Sequence, residues 1–136
     1  GAGVNYTTLT GASSLYFACQ RGDVEVAQYL LEKGADVDLS TRDGRSPLFM
    51  AAHAGHADIV LLLLQHGAKV NQQCTSSGAS PLFIAAQQGH LGAATALVKQ
   101  GRANQNLCTK LGSTPLMVAS LRGFGQIVSL ILARSR

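Results

Sequence analysis

The chain has 136 residues, 46% hydrophobic and 13% charged, with a formal net charge of +4. That is about one domain's length, enough to bury a core, and the composition excludes a disordered tail. The longest apolar run, Ile59 to Leu64, is far too short to span a bilayer, and no signal-peptide pattern opens the chain.

The first feature in chain order is a phrase, Gly1-Ala2-Gly3-Val4-Asn5, that recurs as GADVD at 34–38, as GAKVN at 67–71 and, frayed, as GRANQ at 101–105. Between these phrases lie four alignable stretches. Their first glycines, Gly11, Gly44, Gly78 and Gly112, step by 33, 34 and 34 residues, and Gly22, Gly55, Gly89 and Gly123 step identically. Self-similarity at such a period marks stacked repeats. The units are residues 11–43, 44–77, 78–111 and a truncated 112–136, with 1–10 the tail of a preceding unit. A chain that opens on its own internal punctuation reads as four units excised from a longer array, or as a repeat region designed or trimmed for study.

Each unit predicts two short helices. In the first they span 14–21 and 24–33, in the second 47–54 and 57–66, in the third 81–88 and 91–100, in the fourth 115–122 and 125–134. Ser46-Pro47, Ser80-Pro81 and Thr114-Pro115 pair an N-cap with proline at the first helical position, where its missing N–H costs nothing. The first unit has Ser14 in place of the proline. Ala51-Ala52 and Ala85-Ala86 let neighbouring units approach closely, and Gly55 and its equivalents end the first helix. The second helix carries bulk at helical spacing: Val26, Leu30 and Leu31, or Ile59, Val60, Leu63 and Leu64. Gly34, Gly67 and Gly101 end it, and a turn or hairpin leads to the next unit. Gly34 to Gly44 is ten residues, whereas Gly67 to Gly78 and Gly101 to Gly112 are eleven, which puts the extra residue in the hairpin. The third unit is the weakest copy. Gly92, Ala93, Ala94 and Ala96 replace bulk, and Asn104 falls where Val37 and Val70 stand, so local opening is expected to begin there.

Residues 44–71, GRSPLFMAAHAGHADIVLLLLQHGAKVN, resemble the ankyrin repeat, whose pattern runs approximately G-x-T-P-L-H-x-A-A-x-x-G-H, a Val- and Leu-rich helix, then G-A-D-V-N. The resemblance covers essentially the whole chain. It implies a single all-α domain, a solenoid of stacked helix-turn-helix units joined by hairpin loops, whose core exists only through stacking. His56 and His90 occupy the family's G-H position, where a structural histidine is expected. The family's histidine after Pro-Leu is replaced by Tyr16, Phe49, Phe83 and Met117, larger groups expected to substitute by packing.

The resemblance also implies a non-catalytic scaffold that binds a protein or peptide on its concave face, through hairpin tips and the exposed end of each first helix. By position these residues are Leu9, Thr10, Ala12, Gln20 and Arg21 in the first unit, and Arg42, Asp43, Arg45, His53 and Ala54 in the second. The third supplies Ser76, Ser77, Ala79, Gln87 and Gln88, and the fourth Lys110, Leu111, Ser113, Leu121 and Arg122. Five of these are basic and only Asp43 is acidic, which points to an extended acidic segment as partner. The competing reading is an architectural spacer, or an engineered scaffold with no partner of its own; Ser76, Ser77, Gln87 and Gln88 have the bland polarity it requires. All seven acids precede residue 59 with four of the eleven basic residues, and the other seven basic residues follow alone.

Catalysis is not expected. A Cys-His pair built on Cys19 or Cys74 is open in principle, but Cys19 takes an alanine slot on the first helix and is expected to be a small buried hydrophobe. His53 and His56 lack further local ligands for zinc, and the opening glycines lack the lysine of a phosphate loop. No cofactor or metal is expected. Without aromatics interleaved with basic residues the net charge does not suggest nucleic acid, and the paired helices do not suggest a membrane surface. Three cysteines, with Cys74 and Cys108 one period apart, suggest free thiols and hence an intracellular, cytoplasmic setting, with the nucleus also open, and the chain is expected to be a monomer. The sequon Asn5-Tyr6-Thr7 leaves room for secretion.

Overall fold

A computed structural model describes residues 3–134; Gly1, Ala2 and the terminal Ser135-Arg136 lie outside the described residues. Eight helices occur among them, in four pairs: α1 (Ser14–Arg21) with α2 (Val24–Glu32), α3 (Pro47–Ala54) with α4 (Ala57–Gln65), α5 (Pro81–Gln88) with α6 (Leu91–Thr95, continuing as a π-helical turn Ala96–Gln100), and α7 (Pro115–Arg122) with α8 (Gly125–Arg134). The first helices pack in series, α1 on α3 on α5 on α7. The second helices form a parallel layer behind them. No sheet forms among the described residues, only an isolated bridge between Thr7 and Ser13.

The local chemistry repeats with the sequence. The hydroxyls of Ser13, Ser46, Ser80 and Thr114 each accept a hydrogen bond from the backbone N–H three residues on, at 3.1 to 3.3 Å. Each such cap stabilises by about 1 kcal/mol. Leu15, Leu48 and Leu82 are fully buried between units, and Ala51, Ala52, Ala85 and Ala86 permit the close approach. Gly55, at φ 83°, turns the chain into α4. A Cβ there would meet the His90 ring at 2.5 Å, so this turn requires glycine twice over.

The recurring phrase acts as a clasp. Its last residue receives the loop of the next unit: Asn5 Oδ1 accepts from Asp36 N–H at 2.7 Å, and Asp38 Oδ1 from Lys69 N–H at 2.9 Å. Asn71 Oδ1 accepts from Asn104 N–H at 2.8 Å. His56 and His90 add a second tie, Nε2 lying 3.3 Å and 3.1 Å from the carbonyl oxygens of Gln20 and His53. A carbonyl only accepts, so Nε2 carries the proton in both.

Several expectations are corrected. α2 and α4 each end one residue early, Lys33 and His66 being their C-caps. Val26 is 46% exposed rather than core, α4 being the one second helix packed beside α2 among the described residues. Tyr16, Phe49 and Phe83 are buried as expected of packing groups, but Met117 is 57% exposed, no described unit stacking over it.

The largest correction concerns the extra residue. In the second unit it does lie at the hairpin tip, between Cys74 and Gly78. In the third it is taken up by the π turn. Gly101 has φ −82°, and Arg102, at φ 52°, occupies the left-handed position that Gly34 and Gly67 hold in the other units. The next backbone bond confirms the slip: Ala35 and Ala68 N–H reach back five residues, to Leu30 and Leu63, whereas Ala103 N–H reaches back six, to Leu97. Asn104 thus stands in the place of Asp36, since Asp36 Oδ1 caps Asp38 N–H as Asn104 Oδ1 caps Asn106 N–H. Gln105, not Asn104, corresponds to Val37 and Val70. The small residues of this helix are fully buried: Ala93, Ala94 and Ala96 pack between neighbours as fillers of a narrow space.

Candidate functional site

The hairpin tips form a continuous row joined through backbone atoms. Arg42 N–H donates to Thr10 C=O at 2.9 Å, Thr75 N–H to Asp43 C=O at 2.7 Å, and Lys110 N–H to Ser77 C=O at 2.9 Å. Side chains of the tips and of α1, α3, α5 and α7 then enclose two adjoining grooves.

The near groove, about 490 Å³, is lined by Leu9, Thr10, Ala12, Gln20, Arg42, Asp43 and Arg45 of the transferred set, with Tyr16, Phe17 and Thr41. The far groove, about 780 Å³, has Arg45, His53, Ser76, Ser77, Ala79, Gln87, Gln88, Lys110, Leu111, Ser113 and Leu121, with Phe49, Phe83, Ile84, Thr109 and Val118. Seventeen of the twenty positions are thereby brought together. Arg21, Ala54 and Arg122, at the ends of their helices, line neither groove. The basic set facing the grooves is therefore Arg42, Arg45 and Lys110.

The aromatic lining was missed by the positional transfer, although spacing reveals it. Tyr16, Phe49 and Phe83 each lie four residues before a transferred position, Gln20, His53 and Gln87, and residues four apart share one helix face. These rings serve as inter-unit packing and as groove lining together.

Arg45 belongs to both grooves. Its Nε lies 3.2 Å from Asp43 Oδ2, facing it as a charge without the alignment of a hydrogen bond. Its guanidinium sits 5.6 Å above the Phe49 ring. Asp43 Oδ1 also accepts from the Thr41 hydroxyl. Burial raises the Tyr16 phenol above its ordinary value, opposed by a hydrogen bond and charge from Arg45. Burial, then the charges of Arg45 and His90, lowers His53. Arg42 makes no ion pair among the described residues.

The thiols divide three ways. Cys19 is buried and pushed up to about 12 by desolvation, as befits a small core group. Cys108 is exposed. Cys74 is buried under the far groove's serine rim, its Sγ 3.1 Å from Ser77 Oγ and 3.7 Å from Ser76 Oγ. Burial alone would raise it, but hydrogen bonds from Ser77, Ser76 and the Ala79 N–H outweigh that and bring it down to about 7. Among the described residues no group of three or more His, Cys, Asp or Glu side chains converges as a metal ion would need, and no helix is long and apolar enough to cross a membrane.

The far end of the face is the more apolar. Leu111 is 97% and Leu121 85% exposed. The same positions in earlier units carry polar groups, Gln20, His53 and Gln87 for Leu121.

A family model described as ankyrin repeats (3 copies) matches residues 1–74 and again residues 71–136. No curated protein matches the chain.

Proposed function

The chain belongs to the ankyrin-repeat family, and from that premise we propose that it is a non-catalytic scaffold holding an extended acidic segment of a partner protein along its concave face. Ankyrin repeats are in general modules of protein–protein interaction. The observation that carries the finer reading is that seventeen of the twenty positions where the family makes contacts line two adjoining grooves, with three basic side chains among them. Arg42 and Arg45 would meet carboxylates as planar, bidentate donors, while Lys110 would add charge at the far end. A positive face also accelerates encounter with an acidic chain.

The spacer reading requires bland tips throughout. Ser76, Ser77, Gln87 and Gln88 satisfy it; Arg42, Arg45, Leu111 and Leu121 do not. Fluorescence anisotropy with a labelled glutamate-rich peptide decides between them, comparing the wild type with an Arg42→Glu/Lys110→Glu variant at low and physiological salt. Both side chains are exposed, so the fold should survive the change. The proposal expects binding that weakens with salt and is lost on charge reversal. Absence of binding, or indifference to both changes, would overturn it.

A further inference from the structure

Resting on that reading, we infer that the partner segment is bipartite: a carboxylate cluster for the near groove and one large aliphatic side chain, about five residues away, for the far groove.

The two grooves differ in chemistry. The near groove holds Arg42, whose guanidinium makes no ion pair among the described residues, beside an Arg45 already facing Asp43. A carboxylate entering there meets one cation without a partner and a second whose charge is only partly compensated. The far groove is floored by Phe83, Ile84 and Val118 and walled by Leu111 and Leu121. Two leucines exposed to 97% and 85% across one cavity leave unburied the apolar area that an entering aliphatic group would cover. Scattered exposed leucines need no explanation, but these two converge on one cavity with an apolar floor. Neither the first nor the second unit offers this arrangement, because Gln20 and His53 stand where Leu121 does. The far groove is thus an apolar compartment at one end of a basic face.

The separation follows from the stacking. Arg42 and Arg45 sit on the second hairpin, Leu111 on the fourth, two unit spacings apart. Packed helices lie about 8–10 Å apart, and an extended chain covers about 3.3 Å per residue, so the aliphatic group falls about five or six residues from the carboxylates. The chain direction of the partner is set by which end carries the acid.

The test uses the full chain and labelled glycine-serine peptides bearing a glutamate cluster and one leucine about five residues away, in both orders. Controls replace the leucine with serine or move it next to the acids. In one order the correctly spaced leucine should tighten binding about 10- to 100-fold over the serine peptide, the value of burying one such side chain. Leu121→Gln, which installs the residue of the third unit, and Leu111→Ser should each remove most of that gain, read as the ratio of leucine to serine peptide affinity within each variant, with the thermal unfolding unchanged. Arg42→Glu should weaken every peptide. If leucine and serine peptides bind equally in both orders, or the gain survives both leucine variants, the bipartite inference is wrong while acid binding stands. If no acidic peptide binds, the function proposed above fails, and this inference with it.

Discussion

His90 Nε2 lies 3.1 Å from the carbonyl oxygen of His53, so the imidazole of one unit closes the first helix of the unit before it. Gly55 makes room for that ring, since a Cβ there would come within 2.5 Å of it. Replacing His90 with alanine is expected to cost about 1–2 kcal/mol, from a lost hydrogen bond and an uncovered helix end. His56→Ala should cost less, its contact with Gln20 being longer and exposed. Gly55→Ala should cost more than about 1 kcal/mol for its left-handed backbone alone. Part of that cost should vanish in the His90→Ala background, a coupling that urea unfolding of the double-mutant cycle measures. Strict additivity would show that the two residues do not share this space.

The same ring helps set a pH dependence. Burial, with Arg45 and His90, lowers His53 below its ordinary 6.5 in the folded protein. As pH falls, the unfolded chain therefore takes up the proton first. The stabilisation from neutral His53 is whole above about pH 6.5 and is lost as pH falls through the lower folded value. Wild-type stability should drop relative to a His53→Gln variant as pH falls below the ordinary histidine value of 6.5, and parallel curves would refute the assignment.

Arg102 pays the conformational cost of the π turn. A non-glycine residue in the left-handed region costs about 1–2 kcal/mol, part of which glycine returns in the unfolded state. Arg102→Gly should therefore raise stability by about 0.5–1 kcal/mol. Deleting Arg102 should let Gly101 take the left-handed place and close α6 as an ordinary helix, with no loss of stability in urea. A loss would mean that the extra residue is needed there.

The fold was largely legible, and the site partly so. Caps, helix starts and stops and the inter-unit glycines could be read because each is a local rule repeated four times. The position of the third unit's extra residue could not. A glycine-to-glycine count assumes that glycine keeps the left-handed place, and in this unit Arg102 takes it instead. The floor of the grooves was missed for a related reason. Tyr16, Phe49 and Phe83 were assigned one role, packing, when their i, i+4 relation to Gln20, His53 and Gln87 gives them a second.

The third unit remains the expected place of first opening, though for an added reason. Its second helix combines an interior glycine, Gly92, with a turn in which Gly101 N–H bonds five residues back, to Ala96 C=O. Hydrogen exchange should find amides of residues 91–100 less protected than those of 57–66. Equal or greater protection would show that the tight burial of Ala93, Ala94 and Leu97 outweighs both defects.

Each step along the row of hairpin tips includes a backbone N–H to C=O bond, with Gln72 and Gln73 adding side-chain ties to Ser40 and Cys108, so part of what keeps the row in line is independent of what it says to a partner. Arg42, Thr75 and Lys110 each give the same backbone proton, whatever side chain they carry. The exposed side chains of Arg42 and Lys110 can thus be exchanged without loss of that bond, whereas Gly44 and Gly78 cannot, their φ being positive and the next tip's backbone nitrogen lying 2.9 Å from any added Cβ. Proline is a further exception. Lys110→Pro has no proton to give to Ser77 and should loosen the row where Lys110→Ala leaves it intact.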